Sequence, residues 1–505
     1  MSHETERKLS RKIVELKGNR QGHVRASGHF KVYINPCLLS LNSTVLGFQL
    51  GPICTTAVCV ADDSYLLSNS QSGLQASLDI ISNYANNYQL KFNADKTKIV
   101  ISGSKLDMAY YKETRPWTLN GERVRVVDSN EHLGLVVSGL DEEQKNVDAN
   151  LIKCRNSLFA MLGPAYAYKC LLSPVVQNHL WKTYNLPVLL SGLSALPIRP
   201  THLKSLALFQ NKILRGFLKL SNSSPIPALH FLLGELPVEA VIHINTLTIF
   251  HNLWSNPSTT AFGLVKYILM MCDASSTTWS NHLQLICLKY GLPSPLSLLQ
   301  TSPPWSKQSW ACLVKTRVTN WHEANLRTKA LSNSKMKYLN VQITGLSGAP
   351  HPALLNIYTS QDVRKLRHHL KLLAGDYLCN HRLALDQPNL SSACDLCEDP
   401  DDTIEHILVV CRATHAVRER LLPDLLNVVS KVQPMCSLLT MYTTPPVLTQ
   451  FIIDCSSLNL PENIRVPAHN PNIGDIFKMA RDWAYGINSE RTRLLKIISD
   501  REKCM

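Results

Sequence analysis

The stretch TTAVCVADDSYLLS at residues 55–68 decides the fold of the first part of the chain. β-branched, aliphatic and aromatic residues lie on both sides of the acidic pair Asp62-Asp63. This pattern predicts two short strands, near 58–60 and 65–67, joined by a tight turn that carries both carboxylates. Charged groups held at fixed positions on an apolar base are what divalent-metal chemistry on phosphates requires. For the pair taken alone, a solvated acidic turn without a metal is the alternative.

Three further motifs precede and follow this stretch in a defined order. Gln21-Gly22 lies upstream, while FNADKTK at 92–98 and NEHLGL at 130–135 lie downstream. The order resembles the palm of reverse transcriptases from non-LTR (LINE-type, jockey-like) retrotransposons. In that family a Gln-Gly segment precedes an Ala-Asp-Asp hairpin, and an Asn-x-x-Lys-Thr segment and a Leu-Gly hairpin follow. The chain departs from the family at Ser27-Gly28, where the family usually has Ser-Pro.

The resemblance assigns roles to individual residues. It implies that Asp62 and Asp63 are catalytic and bind Mg²⁺, and that Lys96 helps to neutralise the leaving pyrophosphate. It also implies that Gln21 and Gly22 lie against the newly forming base pair. A solvated loop lysine is the alternative for Lys96, and an ordinary loop is the alternative for Gln21 and Gly22. The implied partners are an RNA template and a DNA primer or target.

One part of the family's catalytic site has no counterpart in this sequence. In the family, a third aspartate on an earlier strand joins the hairpin pair, and the three together hold two magnesium ions. No aspartate precedes Asp62 here, and the upstream acids Glu4, Glu6 and Glu15 lie in a polar, basic segment. We therefore expect an N-terminally truncated fragment without fingers or first palm strand, inactive as a polymerase by itself.

Composition favours an acidic partner. The chain has 505 residues, a net charge of +14 and a pI near 9.1, which puts nucleic acid first among partners and leaves a merely solubilising surface as the alternative. Its length suggests two to four domains. No secretory signal and no run of eighteen apolar residues is present, so we predict no membrane association. The 15 scattered cysteines suggest buried thiols in a reducing compartment, and we expect a ribonucleoprotein in the nucleus and/or cytoplasm.

Two amphipathic helices are predicted after the palm, at 145–162 and 202–219, the first ending at Gly163-Pro164. They fit the place of the helical thumb that grips the template–primer duplex in polymerases of this class. Basic residues on the second helix lie off its apolar stripe and are candidate phosphate contacts: Lys204, Lys212, Arg215 and Lys219. A solvated face on a core helix explains any one of them equally well.

A second chemical cluster lies at Cys394, Cys397, His406 and Cys411, in the form C-x2-C-x8-H-x4-C. Two thiolates in a tight knuckle, followed by a histidine and a cysteine on one short turn, can surround Zn²⁺ tetrahedrally. Thr403 is a candidate cap for that turn. The spacing also resembles the zinc knuckle found downstream of the polymerase in non-LTR elements. The alternative is four unrelated buried side chains.

The remainder reads as helical, with an apolar face at 472–485, a last helix capped by Ser489, and a helix start at Pro423. The predicted fold class is α+β, with a partial reverse-transcriptase palm followed by a mostly α-helical thumb and C-terminal region with a small zinc knuckle. We predict a basic N-terminal segment at 1–20, a partial palm at 21–140, a thumb at 141–222, a helical connecting region at 223–385, a CCHC zinc knuckle at 386–420 and a helical tail at 421–505. The predicted function is RNA-directed DNA polymerase by descent. The alternatives are a non-enzymatic RNA- or DNA-binding protein using the basic helices and the knuckle, and a helical interaction scaffold.

Overall fold

The computed structural model of the chain describes residues 25–61, 63–103, 109–111, 116–167, 172–271, 277–301, 304–346, 348–387, 389–434 and 440–502. These residues form two compact units. The first comprises the described residues of Met1–His132, Val136–Asp141 and Asn256–Met271, and the second comprises those of Leu133–Leu135, Glu142–Ser255 and Cys272–Met505. The mixture of helices with small sheets confirms the predicted α+β class.

Short strands and two helices dominate the first unit. In chain order these are α1 (Ala26–Asn42), β1 (Phe48–Leu50), β2 (Ile53–Thr55), β3 (Ala57–Val60), β4 (Asp63–Leu66), α2 (Gln71–Asn87), β5 (Lys98–Val100), β6 (Trp117–Leu119), β7 (Glu122–Val127), β8 (Ser129–His132) and β9 (Leu135–Ser138). The antiparallel pairs are β1–β2, β3–β4 and β6–β7, while β5 runs parallel to β7. The strands β8 and β9 form a further two-stranded sheet.

The acidic hairpin is present, with one change from its predicted geometry. Strand β3 pairs with β4 so that Val60 lies opposite Asp63. Asp63 is therefore the first residue of the outgoing strand, and only two residues separate the paired strand ends. Ala61 has φ +55°, a left-handed conformation that two-residue hairpin turns favour. The predicted Leu-Gly hairpin is also confirmed, because Leu133 and Gly134 have φ values of +51° and +81° between β8 and β9.

The two long helices of the first unit supply its core. Helix α2 begins where Ser70 caps it, its side-chain oxygen accepting the backbone N–H of Gly73 at 3.1 Å. Its buried face is largely apolar: Leu78 and Ile81 share a core cluster with Ile34 of α1, and Ala85 is also buried. The hairpin thus rests on an apolar base.

The second unit is helical. The helices that follow along the chain are α3 (Glu142–Ala167), α4 (Pro174–Leu180), α5 (Leu186–Leu190), α6 (Pro200–Leu218), α7 (Ile226–Leu233), α8 (Val238–Trp254), α9 (Thr260–Met271), α10 (Trp279–Lys289), α11 (Pro295–Gln300), α12 (Lys307–Leu331), α13 (Ser360–Leu373), α14 (Asn380–Asp386), α15 (His415–Val429), α16 (Pro445–Ile453) and α17 (Ile473–Glu502). Helix α9 belongs to the first unit, and the others belong to the second. Two π-helical turns, Trp181–Asn185 and His406–Val410, occur in the second unit.

One extended apolar core runs through the second unit and includes Trp181, Phe231, Phe451 and Trp483. Trp310 of α12 is 2% exposed and donates its indole N–H to the carbonyl of Leu247 at 2.9 Å. Among the described residues no single helix is both long and apolar enough to cross a membrane. The bent pair α7–α8, with 61° between its helices, meets that test by length and composition only.

Three predicted helix boundaries are wrong. Helix α3 continues through Gly163-Pro164 to Ala167, because a proline this near a helix end removes only one backbone hydrogen bond. Pro423 lies inside α15 rather than at its start, and buried Val417 and Leu425 hold the helix on either side of it. Ser489 does not begin a new helix, since α17 is continuous from Ile473 to Glu502.

The continuity of α17 has a specific cause. Its apolar stripe ends at Ile487, but its inward face continues with polar residues that find buried partners. Asn488 accepts a hydrogen bond from the hydroxyl of Tyr377 at 3.0 Å, and Arg491 is only 9% exposed. A prediction based on apolar residues alone therefore ends this helix too early.

Candidate metal centre and nucleic-acid surface

The four predicted zinc ligands are brought together by two short turns of the backbone. Cys394 and Cys397 lie on a turn in which the Cys394 N–H donates to the carbonyl of Asp399 at 2.8 Å. His406 opens the π-helical turn His406–Val410, and its N–H donates to the side-chain oxygen of Thr403 at 3.1 Å. The N–H of Cys411 then donates to the carbonyl of His406 at 2.7 Å. The predicted cap at Thr403 is therefore confirmed.

The ligand atoms have the spacing of a tetrahedral site. One candidate ligand atom from each of the four residues lies within 4.8 Å of all the others. The Sγ atoms of Cys397 and Cys411 are 3.7 Å apart, those of Cys394 and Cys411 are 4.0 Å apart, and Cys397 Sγ is 3.3 Å from His406 Nε2. Zinc bonds of about 2.3 Å to sulfur and about 2.0 Å to nitrogen require edges of about 3.8 Å and about 3.5 Å in a tetrahedron. The donor set and its spacing therefore fit Zn²⁺.

Burial shapes the electrostatics of the cluster. Cys394 and Cys411 are each 1% exposed, and burial raises the pKa of both thiols, that of Cys411 to about 12. At Cys397 burial also acts to raise the pKa, but hydrogen bonds from the Asp399 backbone and the neighbouring thiols bring it below the usual value. Such closely packed thiols become thiolates when a metal ion displaces their protons.

Two residues next to the cluster were not found from the sequence. Arg491 donates from one guanidinium nitrogen to Cys394 Sγ at 3.5 Å and from the other to Asp402 Oδ2 at 2.8 Å. Asp402 is fully buried, and the same oxygen accepts the backbone N–H of Asn380 at 3.0 Å. Asp402 stands in the linker between the ligand pairs, but no local spacing connects it with an arginine 89 residues later.

The acidic hairpin presents one described carboxylate. Asp63 is exposed at the start of β4, while Asp62, Gln21 and Gly22 lie outside the described residues. Within the part of the chain that the structure describes, Asp63 belongs to no group of three or more clustered potential metal ligands. The described part of the hairpin therefore contributes one exposed carboxylate, that of Asp63.

Lys96 lies on an exposed turn before β5. The side-chain oxygen of Asn93 organises this turn by accepting the backbone N–H groups of Asp95 at 2.9 Å and of Lys96 at 3.2 Å. This is the local reason why an Asn-x-x-Lys-Thr segment makes a compact turn. The ammonium group of Lys96 stands on the surface of the first unit.

The basic residues of helix α6 differ in exposure. Lys204 and Lys212 are exposed and lie on one face with Leu208, which is 59% exposed between them. Arg215 is half-buried, donates to the carbonyl of Ser224 at 3.0 Å, and has a pKa lowered by burial. Lys219 ends the helix in the left-handed conformation, with φ +55°. Only Lys204 and Lys212 of the four therefore face outward from the helix shaft.

Helix α12 carries basic residues together with the aromatic residues Trp310 and Trp321. Trp310 is a core residue, in ring contact with Phe250 and Trp254 at centroid distances of 6.1 Å and 5.9 Å. Trp321 of α12 is half-buried, and the Lys289 ammonium lies 4.2 Å from its ring centroid. The aromatic residues of α12 thus serve the packing of the second unit.

Comparison with known proteins finds a family similarity in the first part of the chain. Residues 3–137 match the family model described as reverse transcriptase (RNA-dependent DNA polymerase). The matched range contains the Gln-Gly segment, the acidic hairpin, the Lys96 turn and most of the Leu-Gly hairpin. The predicted resemblance to reverse transcriptases is thereby confirmed for this range. Reverse transcriptases in general use a divalent metal and bind a nucleic-acid template and primer. No curated protein matches the chain.

Proposed function

We propose that the chain is the reverse transcriptase of a non-LTR retrotransposon by descent, with the palm hairpin, a helical thumb and a zinc knuckle retained. The observation that supports this proposal is the match of residues 3–137, a range that includes Asp62-Asp63, to the reverse-transcriptase family model. The order of motifs from Gln21 to the Leu-Gly hairpin supports the non-LTR assignment. The cluster at Cys394 supports it independently, because it lies downstream in the chain.

We further propose that this chain does not polymerise DNA by itself. Two adjacent magnesium ions need more negative charge than the two carboxylates of one hairpin offer. Magnesium also demands near-octahedral oxygen geometry and releases its waters reluctantly. Because positioning supplies much of the catalysis of phosphoryl transfer, a misplacement of about 1 Å costs about 10²-fold in rate.

Primer extension on an RNA template with Mg²⁺ and all four deoxynucleotides tests this proposal. We expect no extension above the level of the double variant Asp62→Asn, Asp63→Asn, which is the matched control. Extension by the natural chain that the double variant abolishes would show that the site is complete. A residue such as Glu15 would then have to be the third ligand.

Zinc at Cys394, Cys397, His406 and Cys411 has a structural role in this proposal. All four protein ligands close the coordination shell, which leaves no open position for a substrate or water. The ion would cross-link the Cys394–Cys397 turn to the π-helical turn His406–Val410. His406 directs Nε2 to the cluster, while its Nδ1 lies 3.7 Å from an Asp399 carboxylate oxygen.

The second candidate function is nucleic-acid binding without catalysis. The exposed Lys204 and Lys212 and the net charge of +14 favour it over a plain helical scaffold. Contacts of this kind position a duplex through its phosphates without reading sequence. Salt-dependent retention on RNA and DNA would support binding, while salt-independent retention or none would favour the scaffold. An intracellular ribonucleoprotein is the location consistent with this candidate.

A further inference from the structure

A buried guanidinium group connects the metal cluster to the C-terminal helix α17. Arg491 contacts Cys394 Sγ at 3.5 Å and Asp402 Oδ2 at 2.8 Å. Asp402 in turn accepts the N–H of Asn380 at the start of α14. The Asn380 side chain also donates to the carbonyl of Ala393 at 2.8 Å, directly before the first ligand. One arginine thus joins a ligand sulfur, a buried acid and the backbone that shapes the Cys394–Cys397 turn.

The charges around the cluster explain why an arginine is needed there. Three thiolates around Zn²⁺ carry a net charge of −1, and the fully buried Asp402 adds another negative charge beside them. Negative charge that is buried without a compensating positive charge strongly destabilises a fold. Arg491 and Arg418 provide two positive charges, the latter donating to the carbonyl of Cys411 at 2.7 Å. Of the two, Arg491 alone reaches a ligand sulfur directly.

Helix α17 makes further contacts to the segments that flank the ligands. The indole N–H of Trp483 donates to the carbonyl of Leu408, inside the turn that separates His406 from Cys411, at 3.1 Å. Asn488 accepts from the Tyr377 hydroxyl at 3.0 Å, shortly before α14. These residues and Arg491 follow at 483, 488 and 491, so one face of α17 runs along the whole metal-binding segment.

On the premise that zinc binds at the four-residue cluster, we propose that Arg491 is a positioning residue of the metal centre and couples zinc binding to the docking of α17. The cluster then connects the metal-binding segment to α17 inside the second unit and is not a knuckle on its surface. Its burial agrees with this role, because Cys394 and Cys411 are 1% exposed and His406 is 5% exposed. Loss of outer partners of this kind typically lowers metal affinity 10- to 100-fold.

The first test measures zinc affinity by competition with a chromogenic chelator in the full chain. We expect Arg491→Met to bind zinc about 10- to 100-fold more weakly. Arg491→Lys, which keeps the charge but not the two-pronged geometry, should fall in between. The matched control is Arg493→Met on the same helix, since Arg493 is exposed and pairs only with Glu490 among the described residues. Unchanged affinity of Arg491→Met would overturn the role of Arg491.

The second test uses the natural chain, so it can test the coupling even if Arg491→Met fails to fold. Hydrogen exchange of the natural chain is compared before and after a chelator removes the metal. We expect faster exchange at 483–495 of α17 and little change in α8, whose His243 and Leu247 hydrogen-bond with Tyr290 and Trp310. Unchanged protection of α17 would overturn the coupling. The metal content of the purified chain is measured first. A chain without zinc would contradict the zinc proposal, whereas a zinc-containing chain with unchanged α17 protection would contradict only the coupling.

Discussion

Cys397 is the ligand whose removal most directly tests the metal centre. Its thiol lies 3.3 Å from His406 Nε2 and 3.7 Å from Cys411 Sγ, so three of the four ligands meet at it. Structural zinc supplies about 10–16 kcal/mol of folding free energy in small modules. We expect Cys397→Ser to release the metal and to unfold residues 390–415, as measured by metal analysis and by hydrogen exchange of that segment.

The matched control for this substitution is Cys312→Ser, because Cys312 is an exposed thiol on α12. That variant should retain both the metal and the protection of residues 390–415. A natural chain that contains no zinc on metal analysis would rule out the metal centre. Retention of stoichiometric zinc by Cys397→Ser would show that another residue completes the site.

The four metal ligands could be predicted from the sequence because their information is local. Cys394, Cys397, His406 and Cys411 lie within one short segment, and metal chemistry constrains their spacing there. Arg491 and Asp402 could not be predicted in the same way, because their contact joins distant parts of the chain and depends on how α17 packs. Arg491 also lies in a stretch rich in basic residues, and residues of this type are usually exposed to solvent.

At the scale of elements, helices α8, α10 and α12 share a buried polar network. The hydroxyl of Tyr290 lies 2.7 Å from His243 Nδ1 and 3.0 Å from His322 Nε2. The ring of His282 contacts that of His243 at a centroid distance of 5.8 Å. Burial lowers the pKa of these histidines, to about 2 for His243, about 3 for His322 and about 4 for His282, with nearby Lys289 acting in the same direction on the first two.

These depressed pKa values predict that acid destabilises the three helices. A histidine that is neutral when folded but has a pKa of about 6.5 when unfolded takes up more protons in the unfolded state below that pH. Stability is therefore fully present above about pH 6.5 and falls as the pH decreases toward the folded-state pKa. Each such histidine costs about 2 kcal/mol between pH 7.5 and pH 5. We expect the free energy of opening of α12, from hydrogen exchange, to fall accordingly.

The variant His322→Gln tests the origin of this effect. Its opening free energy should depend less steeply on pH than that of the natural chain, by about 2 kcal/mol between pH 7.5 and pH 5. Comparison within one chain pair cancels the contributions of other acid-sensitive groups. The control is His415→Gln, since His415 is exposed beside Glu419 and should leave the pH dependence of α12 unchanged. An equal pH dependence in His322→Gln would contradict the prediction.

The predicted elements differ in accuracy for physical reasons. Hairpin β3–β4 was predicted closely because turn chemistry and the flanking β-branched and aromatic residues agree at each position. Helix α17 was divided at Ser489 because its inward face changes from apolar to hydrogen-bonded polar residues. The inner partners of Asn488 and Arg491 come from segments far away in the chain, and periodicity contains no information about them.

At the scale of the whole molecule, net charge is the property that composition predicts directly. A charge of +14 raises the local concentration of polyanions near the surface whichever unit carries it. The fold then determines which basic side chains are exposed and able to contact a phosphate. Of the four basic residues predicted on α6, Arg215 is occupied by the Ser224 carbonyl, whereas Lys204 and Lys212 are exposed. The sequence pattern predicted that a helix is present here but could not distinguish the exposed lysines from the half-buried arginine.

The exposed pair on α6 leads to the prediction for binding. We expect the chain to bind RNA and DNA with little sequence preference. If about six phosphates are contacted, affinity should fall about 10³-fold between 50 and 200 mM salt. The double variant Lys204→Glu, Lys212→Glu should weaken binding to all sequences alike and reduce the slope of log affinity against log salt by about 2. Fluorescence anisotropy with unrelated RNA and DNA duplexes measures both quantities.

The control must change the net charge equally, because long-range attraction depends on the total charge as well as on contacts. Lys431→Glu with Lys478→Glu meets this condition, since both lysines are exposed and each pair of substitutions lowers the charge from +14 to +10. We expect the control to lower affinity at low salt but to keep the salt slope of the natural chain. Equal slopes for the two double variants would mean that α6 makes no phosphate contacts, and salt-independent binding by the natural chain would favour the scaffold. A loss of slope confined to the α6 variant would locate phosphate contacts on the outward face of that helix.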